Sequence, residues 1–337
     1  MASRVRIEDV AAAANVSMKT VSRVLNREPN VREDTRERVL AAVDRLNYIP
    51  DFSARSLAGN KSFLIALLYN NPSANYLMEV MGGVLAACES HQYNMLLCPL
   101  DFDSPKIVAN VEALVARSRP DGLVLTPPIT DLPALLARLS ELEIPSASIS
   151  PKVHANCAGV AMDETQAAYD MVAHLVSLGH RRIAHIAGHP AHGASDWRLT
   201  GYRQGLERAG IEFDPTLLVA GEFSFESGVH GAGELLDLKR RPTAIFAAND
   251  DTAAGVITVA LERNLRIPED LSVCGFDDTP MSRHIFPALT TVHQPTHEMG
   301  RLATLELLAS IQKPDAGEML HVPYALQLRR STGPAPK

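Results

Sequence analysis

IEDVAAAANVSMKTVSRVLN, residues 7–26, has the spacing of two short helices joined by a tight turn. Val10, Ala11, Ala14, Val16, Val21 and Leu25 recur at intervals that place them on the facing sides of two packed helices. Asn15 stands at the break, where a short polar side chain tolerates a left-handed backbone. Ser17 follows at an N-cap position, its hydroxyl placed to accept from the amides of the next turn. The outward face of the second helix is left with Met18, Lys19, Thr20, Ser22, Arg23 and Asn26, mostly donors and cations suited to base edges and phosphates in a DNA groove. An ordinary helical hairpin with a polar outer face shares this pattern, so spacing alone leaves both readings open. Residues 33–46, EDTRERVLAAVDRL, supply a third helix, with Val39, Leu40, Val43 and Leu46 inward and Glu33, Asp34 and Glu37 favouring its N-terminal end. Residues 1–48 thus form a small all-α helix-turn-helix unit with a thin core.

A chain of 337 residues is expected to hold two or three compact units. Its apolar fraction of 46% is that of a globular protein, but aromatics make up only 5%, so the cores are built from Val, Leu, Ile and Ala. The net charge of −7 excludes a surface coated with nucleic acid and hides an asymmetry: residues 1–60 carry +2 and the remainder −9. A basic head on an acidic body suits local DNA contact. Cys88, Cys98, Cys157 and Cys274 share no metal-ligand spacing, and reduced thiols in a reducing compartment are expected. The start, MASRVRIEDV, lacks the apolar core of a secretory signal. The longest apolar run, FLIALLY, falls far short of the ~20 residues of a membrane helix. A soluble cytoplasmic protein is expected.

Residues 51–59, DFSARSLAG, have room for one or two helical turns after Pro50, with Gly59 as the stop. So short a helix needs a partner or DNA to order it. Leu57, with Ala54 and Ala58 beside it, is a candidate wedge between base steps of a minor groove; packing on the next domain satisfies the spacing equally. From residue 62 onward strands and helices alternate. Strand-like runs lie at 63–69, 95–100, 122–126, 146–149, 182–187, 217–220, 243–248 and 271–276. Helical patterns lie near 76–90, 105–117, 132–142, 165–178, 198–209, 225–238 and 251–264. Two such series predict an α/β body of two doubly wound parallel-sheet subdomains. Ligands in such folds sit at the carboxyl ends of the strands, which nominates Asn70, Asn71, Thr126, Asn249, Asp250, Asp277 and Asp278.

At this level of detail the chain resembles the LacI/GalR family of bacterial transcription regulators over essentially its whole length. The resemblance is carried by residues 7–26, LNYIP at 46–50, ARSLAG at 54–59, HLVSLGHRRIAHIAG at 174–188, RLTGYRQGLERAG at 198–210, AAND at 247–250, VCGFDDTP at 273–280 and LTTVHQP at 289–295. It implies a homodimer on a two-fold symmetric operator in double-stranded DNA. Met18, Lys19 and Arg23 match its base-reading positions, with Thr20, Ser22 and Asn26 nearer the backbone. Ala54, Arg55 and the wedging Leu57 would meet DNA from a hinge helix. Asp51, an acid close to phosphates, departs from that pattern. The body resembles periplasmic sugar-binding proteins, with a small-molecule effector between its halves. There Arg198 matches an arginine that forks onto ligand oxygens, Asn249 and Asp277 match polar partners, and Phe223 matches an aromatic that lies against a sugar ring or a flat base. Asn71 and Tyr76 belong to the opposite wall and Gln294 to a crossover, with Thr126 added from its strand end; a structural ion pair at Arg198, and strand-end caps or interface salt bridges at the acids, are the alternatives. The domains implied are 1–48, a hinge and linker at 49–61, and an effector-binding and dimerisation domain at 62–337. Within the last, one subdomain spans about 62–161 and 294–323 and the other about 162–293 and 324–330.

Other classes fit less well. The adjacent acids Asp250–Asp251 and Asp277–Asp278 invite a hydrolase reading, but neighbours on an extended chain point to opposite sides. No nucleophile elbow, P-loop or dinucleotide fingerprint is present, so neither an enzyme nor a cofactor is expected. His180, His185, His189 and His192 follow no standard ligand spacing, and no metal is expected. A sugar-binding transport protein lacks a reason to carry the basic head. The expected function is a repressor of carbohydrate-utilisation genes under a sugar-like effector, with a nucleobase or other corepressor as the alternative. No leucine heptads follow residue 326 to build a tetramer.

Overall fold

The computed structural model describes residues 5–25, 30–48, 61–152, 158–313 and 317–336. Asn26, the hinge positions Ala54, Arg55 and Leu57, and Cys157 lie outside the described residues. The chain divides into two compact units, Met1–Phe63 and Leu64–Lys337.

In the first unit, α1 (Ile7–Ala14), α2 (Met18–Leu25) and α3 (Glu33–Arg45) pack around Val10, Val21 and Val39, which are fully buried. Asn15 takes the left-handed conformation at φ 53° and ends α1. Ser17 Oγ accepts the Thr20 N–H at 3.2 Å, opening α2. One expected core residue faces the other way: Leu40 is 45% exposed, while Ala42, three positions after Val39, is buried. Leu40 sits about 100° around the helix from Val39, off the stripe that meets α1. Val24 joins the core instead, and Val16 and Leu25 are only partly buried.

The second unit contains two six-stranded sheets. The first holds β1 (Leu64–Tyr69), β2 (Asn94–Pro99), β3 (Gly122–Leu125), β4 (Ser146–Ile149), β5 (Ala158–Ala161) and β11 (Met319–His321). Its order is β11-β5-β4-β3-β1-β2, parallel throughout. The second holds β6 (Ile183–Ile186), β7 (Leu218–Val219), β8 (Ala244–Ala247), β9 (Ser272–Asp277), β10 (Thr290–His293) and β12 (Ala325–Gln327). Its order is β12-β10-β9-β8-β6-β7, with only β12 antiparallel.

Alternate residues of each central strand feed cores on opposite faces. Ile65 and Leu67 pack under α4 (Ala74–Ser90) and α12 (Thr296–Gln312), while Ala66 and Leu68 pack under α5 (Ile107–Ser118) and α6 (Pro133–Glu141). Both faces are covered, which is why these strands read as unbroken apolar runs. Likewise Ile183 and Phe246 face α7 (Glu164–Ser177) and α8 (Gly193–Arg208), and Ile186 and Ile245 face α9 (Phe225–Asp237) and α10 (Asp250–Glu262). A short α11 spans Met281–His284. α4 and α12 approach so closely that a Cβ on Gly83 would lie 1.8 Å from the His297 carbonyl oxygen. The chain passes between the sheets after β5, between β10 and α12, and after β11, so the carboxyl ends of both sheets meet.

The expected all-α head and doubly wound body are both present. Four strands, β5, β10, β11 and β12, lack a local signal: AGVA and TTVH have too little apolar bulk to declare themselves, and pairing makes them strands. Cys88, Cys98 and Cys274 are buried free thiols. Among the described residues no helix is long and apolar enough to cross a membrane, and no group of three or more metal-ligating side chains occurs.

Candidate functional site

On the head, α2 presents Lys19, Arg23 and a half-exposed Met18 to solvent, with Thr20 and Ser22 partly buried. The Thr20 and Ser17 hydroxyls share a hydrogen bond of 2.9 Å. The helix carries no acidic residue, so its outer face is electropositive.

In the body, a cavity lies where the carboxyl ends of the two sheets meet. One wall is Asn71, Ser73, Tyr76, Pro127 and Ser150, from the ends of β1, β3 and β4 and the first turn of α4. The facing wall is Glu164, His192, Ala194, Arg198, Phe223, Asn249 and Asp277, with Gln294 on the crossover to α12. Backbone in the left-handed region clusters here: Ser150 at φ 47°, Phe223 at 58° and Asp277 at 105°.

Arg198 organises the facing wall. Its Nε donates to Glu164 Oε2 at 2.9 Å and its Nη1 to the Ala248 carbonyl at 2.6 Å. Nη2 reaches Asp277 Oδ1 and Gln294 Oε1, each at 3.5 Å. The guanidinium lies 3.6 Å over the Phe276 ring and 5.5 Å from that of Phe223. Most of the Arg198 donors are thus engaged by the protein, Nη2 only at 3.5 Å. Burial raises the Asp277 carboxyl well above the usual range; Arg198 opposes this and Asp250 and Glu164 add to it. The Tyr76 phenol is likewise raised, by burial and then by Asp277 and Glu164. His192 is held neutral, its pKa lowered to about 4 by burial, with His189 and Arg198 contributing.

Of the positions proposed from sequence, Asn71, Tyr76, Arg198, Phe223, Asn249, Asp277 and Gln294 line the cavity and Thr126 does not. Thr126 is fully buried, its hydroxyl donating to the Leu68 carbonyl, and its neighbour Pro127 reaches the wall instead. Asn70 donates to the Leu100 carbonyl at 2.7 Å, and Asp278 accepts from Ser282 and Arg329. Asn249 lines the cavity but also caps α10, accepting from Thr252 N–H and donating to the Phe223 carbonyl, both at 2.9 Å. Ser73, Pro127, Ser150, Glu164, His192 and Ala194 were not anticipated. Ser150 Oγ is buried and, among the described residues, has no hydrogen-bond partner, a state shared by His185 Nε2, which does not line the cavity. Of the histidine series, His180 bonds Thr243 and Ser272 and His185 stacks on Tyr202 at 5.2 Å, whereas His192 lines the cavity.

Two clasps join the walls. Ser73 Oγ and Asn75 Nδ2 from α4 both donate to Asp251 at the start of α10. Asp131 accepts from the backbone N–H of Lys152 at 2.7 Å and of Gly193 at 3.3 Å, and Lys152 Nζ pairs with Asp196 at 3.2 Å.

Behind Asp277, the fully buried Asp250 is held by Thr279 and Thr291, and its pKa is pushed up to about 7 by burial against those hydrogen bonds. Unfolded, the same carboxyl titrates near the ordinary ~4. The folded state therefore binds this proton more tightly, and the contribution favours folding at low pH and is lost as pH rises through about 7. The stability of the wild type relative to D250N should rise on going from pH 7.5 to pH 5, on the order of 2 kcal/mol. Urea denaturation of both proteins across that range checks it; a difference independent of pH would refute it.

Comparison with known proteins decides the family. The family model described as bacterial regulatory proteins, lacI family, matches residues 6–51, and that of a periplasmic binding protein-like domain matches residues 172–332. The HTH-type transcriptional regulator DegA of Bacillus subtilis (strain 168) is 35% identical over 334 residues, covering 97% of this chain and 98% of that protein. This chain belongs to the lacI family of bacterial regulatory proteins. Among solved lacI-family structures, the lac repressor dimer bound to operator and the anti-inducer ONPF superposes with a TM-score of 0.80 at 28% identity, covering 98% of this chain and all of that one. The transcriptional regulator CelR–cellobiose complex gives 0.74 at 30% identity, covering 97% and 100%. The chain is therefore a lacI-family DNA-binding transcription regulator, and a transport receptor is set aside.

Proposed function

We propose that this lacI-family regulator is a homodimeric repressor of carbohydrate-utilisation genes, controlled by a sugar-like effector in the body's cavity. The observation that carries the effector reading is the cavity itself. It pairs the aromatic platform of Phe223 with hydrogen-bonding groups from both sheets, the make-up of a small-molecule site. An effector held by both walls adds to the clasps at Asp251 and Asp131 and favours the arrangement in which they are closed. It moves the equilibrium only by its difference in affinity between the two arrangements. The lac repressor relative is a dimer on operator DNA and the CelR relative holds cellobiose. Exposed Met78 and Leu85 on α4 and Leu97 on the edge strand β2 provide apolar surface for a second copy. A regulator of bacterial DNA works in the cytoplasm.

In the head, Arg23 with Met18 and Lys19 reads bases, and Thr20, Ser22 and Asn26 hold the backbone. Ala54, Arg55 and Leu57 complete the DNA contact. A bidentate arginine–guanine contact is worth about 1–3 kcal/mol of discrimination, and a dimer makes it twice. R23A should lose operator recognition in a mobility-shift assay while its effector-induced thermal shift stays that of the wild type. A ligand at 100 times its dissociation constant adds about 2.7 kcal/mol of stability, so a thermal-shift panel of sugars and nucleobases reports the effector class. A nucleobase hit would overturn the carbohydrate assignment, and loss of both activities in R23A would overturn the division of labour between head and body.

A further inference from the structure

Taking the cavity as a small-molecule site, its ionic inventory is unbalanced. Among the described residues its lining holds one permanent cation, Arg198, faced by Glu164 at 2.9 Å and Asp277 at 3.5 Å. Both carboxylates are nearly inaccessible, at 3% and 5% exposure, so solvent does little to screen them. Lys152, two residues after the lining residue Ser150, does not line the cavity and is paired with Asp196. His192 is held neutral by burial. The groups left facing the cavity carry no charge: Ser150 Oγ, without a hydrogen-bond partner, and the Tyr76 hydroxyl. A site for a carboxylate or phosphate keeps an arginine fork free for bidentate contact. Here that fork is filled from within. An entering anion would meet the buried Glu164 carboxylate and a guanidinium whose charge that carboxylate already balances, with Asp277 a second acid on the same wall.

We propose that Glu164 is a charge-selecting residue: by neutralising Arg198 it restricts the cavity to uncharged, hydroxyl-rich ligands and bars sugar acids and sugar phosphates. Phe223 supplies the ring platform, and Ser150 and Tyr76 supply neutral hydrogen-bonding groups from two walls. The assignment makes a gain-of-function prediction that a merely structural role for Glu164 does not. Glutamine keeps an acceptor for Arg198 Nε and removes the negative charge, which frees the guanidinium for an anion.

The test is calorimetric titration and thermal shift on the full-length wild type and E164Q with matched probes. Glucose, galactose, ribose and cellobiose are compared with glucuronate, galacturonate, ribose 5-phosphate and cellobiuronate. In the wild type, binding is expected from a neutral sugar and not from its anionic counterpart. In E164Q the anionic counterpart should gain at least 10-fold relative to the neutral sugar. An acid or phosphate that binds the wild type as tightly as its neutral partner overturns the proposal, as does a folded E164Q that gains nothing. Should E164Q lose its cooperative melt, the wild-type comparison decides alone. Silence from every probe in both proteins overturns the small-molecule reading itself, a result distinct from binding without charge selection.

Discussion

Replacing Arg198 by methionine should lower the free energy of unfolding by about 3–5 kcal/mol at pH 7.5, the cost of breaking a buried ion pair by removing one partner. Glu164 would be left buried without its hydrogen-bonded cation, and Asp277 without the positive charge that opposes its desolvation. The Ala248 carbonyl would lose a donor at 2.6 Å and Phe276 the guanidinium 3.6 Å from its ring centre. This differs from what the family resemblance alone implies, a stable repressor deaf to its effector, because Arg198 holds the facing wall together before any ligand arrives. The double variant R198M/E164Q should recover part of the loss, since it removes the stranded carboxylate as well. Lowering the pH toward 5 should narrow the gap between wild type and R198M, because protonation relieves the unpaired carboxylates. Chemical denaturation at two pH values measures all three effects. An R198M protein as stable as the wild type would show that the ion pair contributes nothing net.

The contrast at Arg198 shows where sequence reasoning reached and where it stopped. In the head, the turn and the cap were legible because Asn15 and Ser17 set them from within a few residues, while Leu40 and Val24 exchanged places in the core. Local periodicity was enough for β1 and β8, whose residues are buried on both faces and so announce themselves as apolar runs. It failed for β5 and β10, whose strand character comes from partners far along the chain. Start points failed in a related way: α8 begins at Gly193 because its first amide is accepted by Asp131, 62 residues upstream. In the cavity, residues at strand ends were foreseeable by topology, yet Thr126 turned inward and Pro127 outward, a choice made by one turn of backbone. Glu164 was hidden because an acid just after Asp163, the N-cap of α7, reads as helix-dipole complement. Only the packing of α8 against α7 brings Arg198 to it and turns a helix start into half of an ion pair. Ser150 gave no signal at all, since its distinguishing property is the partner it lacks.

The second large effect is expected at a residue with no side chain. Gly188 follows β6, and a Cβ built there would stand 2.0 Å from the tip of the Phe223 ring and 2.3 Å from its neighbouring carbons. The requirement for glycine is one of space between the β6 end and the ring. In most sites a ring tip this close would swing aside cheaply, but here Phe223 has few ways to go. Its carbonyl is tied to Asn249 at 2.9 Å, its backbone sits at φ 58°, and its ring packs against His192 at 5.2 Å. The direction left open is the cavity, so G188A should drive the ring into the volume a ligand would occupy. Overpacking of this kind costs about 1–3 kcal/mol, well below the loss expected for R198M. Effector affinity, by contrast, should fall at least 100-fold, and operator binding should persist without responding to effector. The double variant G188A/F223L should regain stability by relieving the clash, without regaining affinity, because the flat platform is gone. Titration of the best neutral ligand from the probe panel against the three proteins measures the first effect and thermal melts the second. A G188A protein that binds ligand normally would show that the ring yields in some other direction and that Phe223 is not the floor of the site.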